Sequence, residues 1–297
     1  MTLAPRIVVV RRRTELDELL DRHGTRGQAE FFLRSRGRDL AEVQARHDAL
    51  TDALQSVSAA IPSGWRRGSV EREDLDRFLF DPEDVVVVVG QDGLVANTAK
   101  YLAGQPLIGV DPEPGRNPGI LVSHAPVELE ALLIAVLDGA APITARTMVR
   151  AVADDGQELV ALNEVYVGHP SHQSSRYHLV SAQGWGEHQS SSGLLVGTGT
   201  GATGWLRSAW QERHSALNLP SAVDPVLSWF VREAWPSPFT GTELTEGLVG
   251  QDESLQVLVE SDSLVVFGDG LENDHLTPVW GQTVTIRVAR WRLNCVA

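Results

Sequence analysis

The chain has 297 residues, 42% of them hydrophobic and 22% charged, with a net charge of −14. That length makes room for one large or two medium domains, and the strong negative charge disfavours a general role in binding nucleic acid or anionic lipid while leaving a small anionic ligand open. One cysteine, Cys295, excludes an intramolecular disulfide framework and a cysteine-built zinc site.

The start, MTLAPRIVVVRRR, puts a very short apolar run ahead of its basic cluster, the reverse of a signal peptide. No apolar run approaches the roughly 20 residues needed to cross a bilayer. The expected location is therefore cytoplasmic.

Ile7–Val10 reads as a short buried strand, and residues 14–58 as mostly helical, interrupted around Gly24–Gly27 and at Gly37. Residues 61–80 form a charged connector with a short helix near its end. Asp84–Val89 is the clearest strand, five consecutive valines suited to burial on both faces. The turn Gly90-Gln91-Asp92-Gly93 follows, then a helix over 94–102, a strand over 106–110 and a helix over 126–139. Alternating strands and helices predict a parallel sheet with right-handed crossovers. Beyond Ala140 strands dominate: 143–153, 159–167, 174–180, 194–197, 255–259 and 264–268, with one helix over 203–217. The fold class expected is an α/β N-terminal domain with a parallel sheet (residues 1–140, with 276–297 returning to it), followed by a β-rich, sandwich-like domain (141–275).

Three constellations carry chemistry. In the first, Gly90 and Gly93 let a ligand approach the backbone at the end of the valine strand. The helix that follows offers unpaired amides suited to phosphate. Asp92 between them is placed either to accept a proton from a substrate hydroxyl or simply to serve as a turn residue and helix cap. In the second, Asn163 and Glu164 stand side by side in a strand. Neighbouring strand residues point to opposite faces, so both serve one ligand only where the strand ends or bulges, and otherwise the pair reads as polar residues of an edge strand facing water. In the third, a strand runs into Thr198-Gly199-Thr200-Gly201-Ala202-Thr203-Gly204-Trp205 and then a helix. This loop offers amides and hydroxyls to a nucleotide, with Trp205 to stack or wall the pocket. No lysine follows its glycines, so it is not a Walker A loop. His169, His172 and His178 lack a partnering carboxylate at metal-site spacing and read as solvated loop residues.

Taken in this order, the constellations resemble the NAD kinase family, and within it the mitochondrial-type branch and its bacterial relatives. The family's GGDG stands as Gly90-Gln91-Asp92-Gly93, its ALNEV as Ala161–Val165, and the branch's SSGL and TGTG as Ser191–Leu194 and Thr198–Gly201. Ile108-Gly109-Val110-Asp111 followed by PEPGRNPG is a further match. Gln91, Leu94, Asp111 and Gly204 depart from the family pattern, whereas Trp205 agrees with the branch.

The resemblance implies transfer of the ATP γ-phosphoryl to the 2′-hydroxyl of the adenosine ribose of NAD, giving NADP. It implies that Asp92 takes the hydroxyl proton and Glu164 holds ribose hydroxyls, while Asn163 and Thr203 hydrogen-bond the adenine. The amides of Gly90, Gln91 and Gly93 and the loop Thr198-Gly199-Thr200-Gly201 would line the phosphate path, and Trp205 would belong to the substrate site. Mg2+ would neutralise the donor phosphates, NAD or NADH and ATP would be the partners, and a homodimer or homotetramer would be the assembly. Two alternatives stand beside it. One is a weak or inactive dinucleotide-binding protein of the same fold. The other is a superfamily kinase acting on a lipid or sugar hydroxyl, against which Asn163-Glu164 argues.

Overall fold

The valine run sits at the centre of the first of two units. In the computed structural model, which describes residues 5–116 and 119–297, this unit comprises residues up to Ile143 together with Asn294–Ala297. Its elements in order are β1 (Arg6–Arg11), α1 (Glu15–His23), α2 (Arg26–Arg34), α3 (Leu40–Ala60), β2 (Arg66–Glu71), β3 (Val85–Val89), α4 (Asp92–Ala99), β4 (Pro106–Val110) and α5 (Leu129–Leu137). β5 (Ile143–Arg146) leads out of it. With the terminal strand β18 (Leu293–Val296), the sheet order is β2-β1-β3-β4-β18-β5, and the pairings β2–β1, β1–β3, β3–β4 and β4–β18 are all parallel.

All five valines of β3 are buried, as a central strand covered on both faces requires. Val85, Val87 and Val89 share a core with Ala53 and Val57 of α3 and Leu129 and Leu133 of α5. α1, α2 and the start of α3 enclose a smaller core of their own around Leu19, Leu33 and Val43. Thr14 caps α1 in a reciprocal capping box with Asp17, and Gly24 closes that helix in the left-handed region at φ 73°.

The second unit, residues 144–293, is a sandwich. Its strands are β6 (Val149–Ala153), β7 (Glu158–Ala161), β8 (Glu164–Gly168), β9 (Ser175–Val180), β10 (Gly186–Ser191) and β11 (Leu194–Gly197). After α6 (Trp205–Glu212) come β12 (Leu227–Val231), β13 (Glu246–Val249), β14 (Leu255–Val259), β15 (Val265–Gly268), β16 (His275–Leu276) and β17 (Thr283–Val288). They form two six-stranded sheets, β10-β9-β14-β17-β6-β7 and β13-β12-β11-β8-β15-β16. Strands β6, β9, β14 and β17 alternate buried and less buried residues, one face inward. β11 and β12 are buried throughout because α6 covers their other face, Leu206 and Ala209 packing on Leu195 and Phe230.

Several sequence expectations change. The charged connector contains β2, whose RRGSVE sequence is polar because it forms the sheet's edge. The polar β10 is likewise an edge strand. The run 143–153 is two strands, broken where Thr147 turns to bond Ala222 and Asp224. Only Asn294–Ala297 group with the first unit, since β17 is held between β14 and β6. His178 lies in β9, stacked on His188, and not in a loop. Among the described residues no helix is long and apolar enough to cross a membrane.

Candidate functional site

Two clusters, one in each unit, carry the residues singled out in the sequence. In the first unit β3 ends at Gly90, whose amide donates to Val110 O (3.1 Å), tying the turn to the end of β4. Gln91 is the N-cap of α4 without a side-chain cap bond, and Asp92 is the first helical residue. The Asp92 carboxylate caps nothing. Oδ1 accepts the backbone N–H groups of Leu121 and Val122 (both 3.0 Å) and Oδ2 accepts that of Ile120 (2.9 Å). A carboxylate offers about four acceptor positions, so one remains open on Oδ2.

The irregular segment that carries Asp92's partners is itself held by close packing. A Cβ on Gly119 would collide with Asp92 Oδ1, and one on Gly109 with the carbonyl of Leu121. His124 continues the line, accepting the Asp111 amide and donating its own to Gly109 O. Sequence inspection read the PEPGRNPG stretch as a match without seeing that Gly119 makes room for the carboxylate; Asn117 and Pro118 of that stretch lie outside the described residues. Leu94 turns into the core against Gly90, which accounts for an apolar residue at that position.

A cleft of about 470 Å³ opens beside this turn, lined by Gly90, Gln91, Asp92, Gly93, Asp111 and Glu113 among others. Gly90 and Gln91 also wall a narrower cavity of about 210 Å³ that Arg12, Arg13 and Arg46 reach. Arg13 pairs with Asp21 and Arg46 stands 4.0 Å from Glu15, while Arg12 makes no ion pair among the described residues.

In the second unit β7 stops at Ala161 and β8 begins at Glu164, so Asn163 and Glu164 sit at a strand break. The break is held from a distant turn. Asp269, at the end of β15 with φ 52°, accepts the amides of Leu162 (Oδ2, 2.8 Å) and Asn163 (Oδ1, 2.7 Å) and donates its own amide to Glu164 O (3.1 Å). Asp269 is the residue sequence reasoning missed. The signal was a D-G pair closing an apolar strand, where an acid tolerates the left-handed region.

The loop after β11 forms the floor of the break. Thr198 Oγ1 donates to Leu162 O (2.6 Å), and Thr198 N donates to Asn163 O (2.9 Å). The same hydroxyl accepts the amides of Thr200 and Gly201. Thr198 and Thr200 are buried, so the expected row of free amides and hydroxyls is largely consumed inside the loop. Gly197, Gly199 and Gly201 each pack where a Cβ would strike Asn163, Ser221 or Leu206 atoms. Thr203, at the exposed end, donates to Thr200 O (2.9 Å). Trp205, 39% exposed, stacks on Tyr166 at 5.9 Å with the Arg232 guanidinium 5.3 Å from its ring centre. Tyr166 in turn donates to Ser192 O (2.9 Å).

What this packing leaves unused is informative. The side chains of Asn163 and Glu164 are half-buried and make no hydrogen bond, and Thr200 Oγ1 is enclosed without a partner. Burial, with a smaller contribution from the nearby Asp269 charge, pushes the Glu164 carboxyl up to about 8. A protonated carboxyl and a free carboxamide thus stand together at one break, ready to exchange hydrogen bonds with a polyhydroxylated or heteroaromatic ligand. Among the described residues no three His, Cys, Asp or Glu side chains group closely enough to hold a metal ion.

The pairing of a parallel-sheet unit with a two-sheet sandwich is the architecture of a known kinase fold. The structure matches that of yeast NADH kinase complexed with NADH, with a TM-score of 0.61 at 12% identity, covering 100% of this chain and 84% of the other. In sequence the chain is 27% identical over 226 residues to a probable NADH kinase of Oryza sativa subsp. japonica, covering 68% of this chain and 67% of that one. It is 28% identical over 231 residues to an NAD kinase of Pseudomonas putida (strain W619), covering 74% and 72%. A shorter stretch of 139 residues is 37% identical to an NAD kinase of Methylococcus capsulatus, covering 42% and 45%. No protein-family model matches. The chain is thus similar to the NAD kinases in sequence and has the fold of an NADH kinase.

Proposed function

We propose that this protein is an NAD kinase, moving the γ-phosphoryl group of ATP to the 2′-hydroxyl of the adenosine ribose of NAD or NADH. The observation that carries the reading is the unpartnered Asn163–Glu164 pair at its strand break, in a chain similar to NAD and NADH kinases. Asn163 and Glu164 would meet the adenosine half of the dinucleotide, Glu164 at the ribose hydroxyls and Asn163 with Thr203 at the base. Trp205, backed by Tyr166, would wall the site.

At the other cluster, Asp92 would receive the 2′-hydroxyl proton at the open position of Oδ2 as that oxygen attacks the γ-phosphorus and the bond to ADP breaks. The three amides hold the carboxylate still, which is the orientation a general base needs. Donor phosphates fit the cleft beside Gly90–Gly93, and Arg12 brings an unpaired positive charge to the adjoining cavity that Gly90 and Gln91 also wall. Magnesium fits as an ion carried in on those phosphates, with Asp111 or Glu113 as carboxylates near the path, because it ordinarily takes one or two carboxylates together with phosphates and water. Cytoplasmic location and a homodimer complete the reading.

Incubation of the purified protein with NAD, ATP and magnesium is expected to yield NADP. No product above that of Asp92→Asn would overturn the proposal.

A further inference from the structure

The sequence also places Arg287, Arg290 and Arg292 near its end, and none of them belongs to either cluster above. All three line a cavity of about 380 Å³ in the second unit, within the size range of small-molecule sites. In a chain of net charge −14, a local gathering of three arginines is a departure that calls for a cause.

Their ordinary partners are missing. None of the three makes an ion pair among the described residues, and the one side-chain hydrogen bond among them is from Arg292 to Val223 O (3.2 Å). Arg287 Nε is enclosed and has no acceptor at all, and an enclosed donor without an acceptor is costly. Register sharpens the point. Arg287 on β17 stands directly opposite Arg150 on β6, a like-charge cross-strand pair that disfavours the sheet. Arg150 is relieved by Glu158, whereas Arg287 has no acid. Two acids do line the cavity, but Glu253 is committed to the Gly250 amide (2.7 Å), leaving Asp252 at the rim.

We propose that Arg287, Arg290 and Arg292 form an anion site for a phosphate-bearing small molecule, separate from the Glu164 cluster, with which the cavity shares no lining residue. Guanidinium groups that no carboxylate engages are suited to bidentate binding of phosphate oxygens.

Calorimetric titration of the full chain with inorganic pyrophosphate tests this. A binding step is expected that weakens about tenfold or more in Arg290→Gln and persists in Glu164→Gln. Arg290 is exposed, so its replacement is expected to leave the thermal melt intact, and Arg292→Gln serves as an independent second variant. Identical isotherms for the parent and both arginine variants would overturn the proposal. So would a change in sedimentation on Arg290→Gln without a change in pyrophosphate binding, because the arginines would then engage a carboxylate of a second copy.

Discussion

Asp92 and Glu164 are both carboxyl groups at the end or beginning of a strand, yet their surroundings are opposites. Asp92 accepts three backbone N–H groups from one short stretch, 120–122. Glu164 accepts none, is partly buried near Asp269, and is pushed up to about 8. The difference teaches that one side chain is held rigid by three protein donors with a single position open, while the other is left hungry for a ligand. A fixed group suits proton transfer; an unsatisfied one suits recognition.

The largest expected effect breaks the first half of that contrast. Asp92→Asn should lower the rate of NADP formation at least about a hundredfold. It should also lower stability by about 1–3 kcal/mol, because a carboxamide oxygen cannot serve all three amides. Rate assays beside thermal melts check it, and an unchanged rate with lowered stability would make Asp92 a purely structural clamp.

Next comes Asp269→Ala, which frees the Leu162 and Asn163 amides together. A loss of about 2–4 kcal/mol in denaturant unfolding is expected, from two charge-assisted bonds. KM for NAD should rise more than kcat falls.

Gly119→Ala attacks Asp92 from outside, since the added methyl meets Oδ1. It should shift the Asp92 partners and cut turnover by about tenfold, with a stability loss of about 1–3 kcal/mol. A turnover equal to the parent's would show that the carboxylate tolerates displacement.

The smallest effect is the most diagnostic. Glu164 has a folded value raised above its usual one near 4.5, so the folded state binds the extra proton. Its ionisation therefore adds no penalty below about pH 4.5, and stability falls as pH rises from there through about 8. Glu164→Gln should remove that slope, melting higher than the parent at pH 9 and about equally at pH 5. Equal melting shifts at both pH values would show that the carboxyl is not perturbed.

Much of this was legible in the sequence. Five valines before a glycine turn can hardly be anything but a central parallel strand, and β4, β11 and β14 were readable from apolar runs of the lengths they have in the structure. The Asn163–Glu164 break was not, because the apolar run 159–167 reads as one strand, whereas the structure splits it into β7 and β8. Edge strands such as β2 and β10 were not either, since one edge of their backbone is unpaired and their side chains are mostly polar. Asp269 and Gly119 were hidden for another reason. Their importance lies in what they touch, 106 and 27 positions away in the chain, and no local pattern records it.

That distance has a consequence for assembly. The Asn163–Glu164 break cannot take its final form until β15 has paired with β8 and brought Asp269 to the Leu162 and Asn163 amides. Closing so long a loop is slow and entropically costly. The Asn163–Glu164 cluster is therefore expected to be among the last parts of the sandwich to gain protection from hydrogen exchange, which pulsed exchange during refolding checks.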